Sequence, residues 1–192
     1  MDKVFNVYMT GVGGQGIGLL AELLARASDH AGLATKGCDT HGLAQRGGMV
    51  ASHLRIGAGA HSPLVEAGRA DLVVALERHE AQRALRTMLV PGGTLLWYDA
   101  SWQPLDVRLG KAPAVETDEI FAEAEARGCA ARRVFLEDLD DPRKQNIALV
   151  AEIASAGLMP GVGPAHFRAA LGDLLDGKSL AENLVILEGA KT

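Results

Sequence analysis

Cysteine is scarce in this 192-residue chain. There are two, Cys38 and Cys129, far apart in sequence. A cubane iron–sulfur cluster needs four thiolates, so the chain cannot carry one alone. Nor is there a disulfide framework, and a reduced, cytoplasmic setting is expected. Aromatic residues make up only 4%, which leaves a core of aliphatic side chains and alanine. No stretch approaches the roughly 20 apolar residues of a membrane span, and no membrane partner is expected. The N-terminus enters a short apolar run and then glycines, without the long apolar region of a signal peptide. A large excess of either charge is absent too. The net charge is −5 with both signs mixed along the chain, and no basic stripe offers a nucleic-acid footprint.

What is present is alternation. Val4 to Met9 reads as a buried strand, and Ile17 to Ala31 as a helix with Leu20, Leu23, Leu24 and Ala27 on one face. Ala34 to Cys38 and Met49 to Ile56 read as strands, with Asp39 to Gly48 a polar loop between them. Ala70 to Leu76 is a continuous apolar run, the mark of a centre strand buried on both faces. A helix from Glu77 to Leu89, a turn at Pro91-Gly92-Gly93 and a strand from Thr94 to Tyr98 follow. Val107 to Ala114 has room for one short strand. Thr117 is a candidate helix N-cap, with Asp118 and Glu119 in the first turn, and that helix ends near Gly128. A last strand is expected over Ala131 to Leu136. Asp141-Pro142 then starts a helix to Ala156. Two more helices are expected, Pro164 to Leu175 and Leu180 to Gly189. The pattern predicts a single α/β domain over 1–192. Its Rossmann-like open, mostly parallel sheet carries helices on both faces, with a helical C-terminal extension over about 157–192.

Two loops carry the candidate chemistry. Gly11, Gly13 and Gly16 match G-x-G-x-x-G between a predicted strand and helix, the placement of a dinucleotide fingerprint. Asp39 follows the second strand, where such folds place a ribose-binding acid, although its spacing is long. An NAD(P)-dependent Rossmann oxidoreductase is therefore one reading. A tight turn that needs small residues with no ligand is another. The second loop is Asp39-Thr40-His41-Gly42-Leu43-Ala44-Gln45-Arg46-Gly47-Gly48. It leads into Met49-Val50-Ala51-Ser52-His53-Leu54-Arg55-Ile56-Gly57. Both loops fall on one sheet edge, where a backbone-lined concavity suits a ligand or close approach by another protein.

Gly11-Val12-Gly13-Gly14-Gln15-Gly16-Ile17, His41 through Gly48 and Val50 through Gly57 together resemble the gamma domain of the pyruvate/2-oxoacid:ferredoxin oxidoreductase superfamily. The H-G-L-A-Q-R-G-G form is most similar to the small, beta subunit of the indolepyruvate ferredoxin oxidoreductases. Related pyruvate and 2-oxoglutarate enzymes carry a motif closer to P-E-x-R-G-G. The motif-bearing match covers about the first third of the chain.

That resemblance implies oxidative decarboxylation of an aryl 2-oxoacid with coenzyme A as co-substrate and ferredoxin as acceptor of the electrons. Thiamine diphosphate and [4Fe-4S] clusters would reside in a large partner subunit, in a hetero-oligomer, with no cofactor and no metal in this chain. Consistently, no G-D-G motif with a downstream asparagine marks a thiamine diphosphate site here. The resemblance points to no catalytic residue in particular. The residues it singles out as cofactor-binding or adjacent to the active site are Gly11, Gly13, Gly14, Gln15 and Gly16 in the first loop. In the second they are His41, Gln45, Arg46, Gly47 and Gly48. A third reading keeps the subunit but makes it a non-catalytic scaffold, with both loops rigid interface turns.

Overall fold

The computed structural model describes residues 3–41, 48–102, 107, 109–110, 113–137, 139, 141 and 144–189. Six strands form one sheet: β1 (Phe5–Val12), β2 (Thr35–His41), β3 (Met49–Ile56), β4 (Ala70–Ala75), β5 (Leu89–Tyr98) and β6 (Ala130–Val134). Their order is β2-β3-β1-β4-β5-β6. β1, β4, β5 and β6 pair in parallel, while β3 runs antiparallel to both β1 and β2. The helices are α1 (Ile17–His30), α2 (Arg78–Thr87), α3 (Thr117–Ala126), α4 (Gln145–Ser155), α5 (Pro164–Leu174) and α6 (Gly177–Gly189).

Side-chain alternation along β4 builds the two halves of the core. Leu72 and Val74 join Val7, Met9 and Leu96 under α1 and α4, whereas Val73 and Ala75 join Leu95 and Trp97 under α2 and α3. The apolar run thus does face both layers, as a central parallel strand must. α1 buries Ile17, Leu20, Leu23, Leu24 and Ala27, one stripe at helical spacing. α4 is buried on nearly every side because α5 and α6 close over it.

Several boundaries differ from expectation. β2 runs on through Asp39 to His41, because β3 supplies it with ladder partners: Asp39 faces Ser52 and His41 faces Val50. The expected turn at Pro91-Gly92-Gly93 lies inside β5, where a register shift between Ala70 and Leu72 absorbs it as an irregularity. Thr117 is the first helical residue and not the cap. Its hydroxyl reaches Asp99 at 3.3 Å, and the extended Glu116 stands at the N-cap. α4 begins at Gln145, after a turn in which Lys144 N donates to Asp141 O at 2.9 Å. α6 starts three residues before Leu180, at Gly177. Residues 107, 109, 110 and 113–116 form no strand, and residues 108, 111 and 112 of the ambiguous stretch lie outside the described residues.

Candidate functional site

The carboxyl ends of β1 and β4 lie side by side. The chain leaves β1 into α1 on one face and leaves β4 into α2 on the other. Such a divergence opens a crevice, the usual ligand position in open α/β sheets. Here Gln15 fills it. Its side chain is 3% exposed. Its Oε1 accepts from Val12 N at 2.7 Å, and its Nε2 donates to Leu76 O at 2.8 Å. One amide therefore staples the end of β1 to the end of β4. Gly11 makes room for it, since a Cβ there would stand 2.9 Å from Gln15 Oε1 and 3.2 Å from Leu76 Cβ. Gly16 caps α1 with φ 82°. It accepts from Asn146 Nδ2 at 2.9 Å, and a Cβ at Gly16 would come within 2.6 Å of that nitrogen. Both glycines thus answer to side chains of this chain. Gly14 is exposed at the tip.

The second loop adjoins the first. Gly13 N donates to Gly48 O at 2.9 Å, and Val12 faces Met49 across the β1–β3 ladder. His41 ends β2 opposite Val50. Gln45, Arg46 and Gly47 lie outside the described residues. Those residues that are described, Gly11 through Gly16 with Gly48 and the backbone of His41, fall at one edge of the sheet.

Asp39 is not placed as a ribose ligand. Antiparallel β3 separates β2 from β1, so Asp39 is two strand spacings, roughly 10 Å, from the glycine loop. Its carboxylate accepts from Ser52 Oγ. With Gln15 in the crevice and the acid displaced, the isolated chain is expected to bind NAD(H) weakly or not at all. Isothermal calorimetry checks this, and a dissociation constant of about 1 µM would restore the dehydrogenase reading.

Sequence reasoning passed over a charged cluster along the same edge. Asp99, at the end of β5, is 4% exposed and is held by Arg78 from the start of α2 and Arg133 from β6. Burial alone would raise its pKa, but hydrogen bonds from Arg78 and Arg133, with their charges, hold it below the usual carboxylate value. Beside it, buried Glu77 caps α2 by accepting from Glu80 N at 2.9 Å and meets His79 Nδ1 at 2.6 Å. The signal was a charged residue straight after an apolar run, Leu76-Glu77 and Tyr98-Asp99. His53 is buried under Val65, whose N–H it accepts at 3.1 Å, and burial lowers its pKa. Arg55 donates to Asn6 Oδ1 at 2.9 Å and to Ser62 O at 3.1 Å.

An iron–sulfur cluster held by the two cysteines of this chain does not fit. Cys38 lies in β2 and Cys129 directly precedes β6, at opposite edges of the sheet. Five strand spacings put them roughly 24 Å apart, too far to share an iron. Among the described residues no group of three or more His, Cys, Asp or Glu could hold a metal ion. No described helix is long and apolar enough to cross a membrane.

Residues 6–191 match the model of the pyruvate ferredoxin/flavodoxin oxidoreductase family. The chain belongs to that family. Its similarity to the indolepyruvate oxidoreductase subunit IorB of Archaeoglobus fulgidus is 32% identity over 188 residues, covering 95% of this chain and 92% of that protein. Two solved structures share the fold at 18% identity. The pyruvate oxidoreductase subunit PORC of Thermotoga maritima superposes with a TM-score of 0.66, over 98% of this chain and 96% of that one. The 2-oxoglutarate:ferredoxin oxidoreductase of Magnetococcus marinus, solved with 2-oxoglutarate, coenzyme A and succinyl-CoA bound, gives 0.73. It covers all of this chain but only 31% of that one, so the fold of this chain there forms part of a longer polypeptide.

Proposed function

We propose that this chain is the small subunit of an arylpyruvate (indolepyruvate) ferredoxin oxidoreductase, inactive alone. The observation that carries the reading is the nearly end-to-end similarity to an IorB subunit. Two cysteines at opposite sheet edges agree with redox centres held elsewhere. In this reading a large cytoplasmic partner holds thiamine diphosphate and [4Fe-4S] clusters, which supply the decarboxylation and electron-transfer chemistry. The complex converts an aryl 2-oxoacid and coenzyme A to the aryl-acetyl-CoA and carbon dioxide, and reduces ferredoxin. The chain acts as one domain, its C-terminal helices α5 and α6 closing the core beneath α1 and α4.

The contribution of this chain is a shaped edge. The carboxyl ends of the strands carry the two glycine loops. Met49, next to Gly48, is exposed, as are Trp102 after β5 and Phe135 and Leu136 after β6, farther along the sheet. In a chain with so few aromatics, exposed Trp102 and Phe135 are the anchors an interface uses. We place Gly11 to Gly16 and His41 to Gly48 against the partner, near its catalytic centre, with the Arg46 guanidinium offering a bidentate fork to a carboxylate or phosphate.

The test is reconstitution with the large subunit. Trp102→Ser with Phe135→Ser is expected to weaken assembly at least about 30-fold while the free chain keeps its fold. Arg46→Ala is expected to abolish turnover or assembly, with Arg46→Lys a poor rescue. If all these variants assemble and turn over as wild type, the edge is ordinary solvated surface.

A further inference from the structure

A second group of polar residues lies under the glycine loops, on the α2 side of the sheet. Thr10 immediately precedes Gly11 in β1 and is 1% exposed. Its hydroxyl stands 3.4 Å from Glu80 Oε2 on α2 and 3.4 Å from Val50 O on β3. Val50 follows Gly48 by two residues, and Gly48 O receives the Gly13 amide. A hydroxyl has one proton to give, so it cannot donate to both acceptors at once. An ionised Glu80 only accepts and draws the Thr10 proton to itself. A protonated Glu80 donates to Thr10 Oγ1, which frees the threonine proton for Val50 O. Protonation at one buried carboxyl thus reverses a hydrogen bond and hands a donor to the strand that begins at the second loop.

We propose that Glu80 and Thr10 form a proton-operated relay that sets how firmly the two glycine loops are tied together.

The surroundings favour a proton on Glu80 at higher pH than usual. It is 5% exposed, and burial raises its pKa; Arg83 opposes that, Glu77 adds to it, and Thr10 and His79 oppose it. Arg83 Nη2 is 3.1 Å away but half-exposed, so water weakens its pull. From β1, Tyr8 faces the same group, and its own pKa is raised, by burial first. From β3, His53 lies against Tyr8, with its pKa lowered by burial. β4 brings Val73 and Ala75 to this layer. Asp99 beyond β5 is held by Arg78 and Arg133, and Glu123 of α3 by Arg86 and Arg127. The folded pKa lies above the unfolded one. The stability from this group is therefore complete below about pH 4.3, the ordinary glutamate value, and is lost as pH rises through the folded value.

Nuclear magnetic resonance of the full chain tests the relay. The Glu80 side-chain carboxyl and the Gly11 and Gly13 amides are followed from about pH 4 to pH 8, spanning the ordinary glutamate range and above. Glu80 is expected to titrate above the ordinary value, and both amides to shift with the same midpoint. In Glu80→Gln those amide shifts disappear. In Thr10→Val, which keeps the side-chain shape, Glu80 still titrates but the amides lose at least half of their response. Undiminished amide titration in Thr10→Val would overturn the relay, as would a Glu80 midpoint at the ordinary value.

Discussion

Gln15→Leu is expected to lower the free energy of unfolding by about 2–6 kcal/mol, because it strands two buried backbone groups at roughly 1–3 kcal/mol each. The groups are Val12 N–H and Leu76 C=O, which the Gln15 amide joins across the crevice. Leucine fills a similar volume, so the loss reads the hydrogen bonds more than the packing. Gln15→Glu should fare no better at neutral pH. A carboxylate can accept from Val12 but cannot donate to Leu76, and it would be buried without a cation. Urea denaturation checks both variants. A midpoint that falls at unchanged slope is the expected result; a midpoint within error of wild type would mean that water replaces the amide and the staple is dispensable.

Asp99→Ala should cost about 2–4 kcal/mol, slightly below the range for a fully buried pair because the arginines keep some water. The carboxylate side chain is 1% exposed, against 24% for Arg78 and 43% for Arg133. Its removal leaves two guanidinium groups facing each other where β4, β5 and β6 end. The Thr117 hydroxyl at the start of α3 loses its partner as well. The folded pKa of Asp99 is depressed, so its contribution is present above the unfolded value of about 3.9 and fades as pH falls through the folded value. The variant should therefore lose more stability at neutral pH than in acid. A difference from wild type that stays constant on acidification, measured by denaturation across pH, would contradict the ion cluster.

Much of this architecture is legible in the sequence where burial is symmetrical. Ala70 to Leu76 reads as a central strand because both faces are apolar, and α1 reads as a helix because Leu20, Leu23, Leu24 and Ala27 repeat at helical spacing. The failures occur where tertiary contacts override local signals. Asp39 to His41 are polar and look like loop, but the β3 ladder holds them in a strand. Thr117 is a good cap by type, yet Asp99, 18 residues away, takes its hydroxyl. In the candidate site the glycines were visible, but not what they serve. G-x-G-x-x-G resembles a phosphate cradle, whereas Gly11 and Gly16 leave room for the amides of Gln15 and Asn146. Asn146 comes from α4, 130 residues beyond the loop, a distance that no local pattern reveals. The antiparallel β3 that separates Asp39 from the glycine loop could not be read from spacing either.

We propose that this chain completes an oxidoreductase whose redox centres lie in a partner. Ferredoxin reduction with indolepyruvate and coenzyme A, measured for this chain alone, for the large subunit alone and for the two mixed, tests it most directly. Turnover is expected only in the mixture, with iron and thiamine diphosphate confined to the large subunit. Full turnover by the large subunit alone, or stoichiometric iron in this chain, would contradict it.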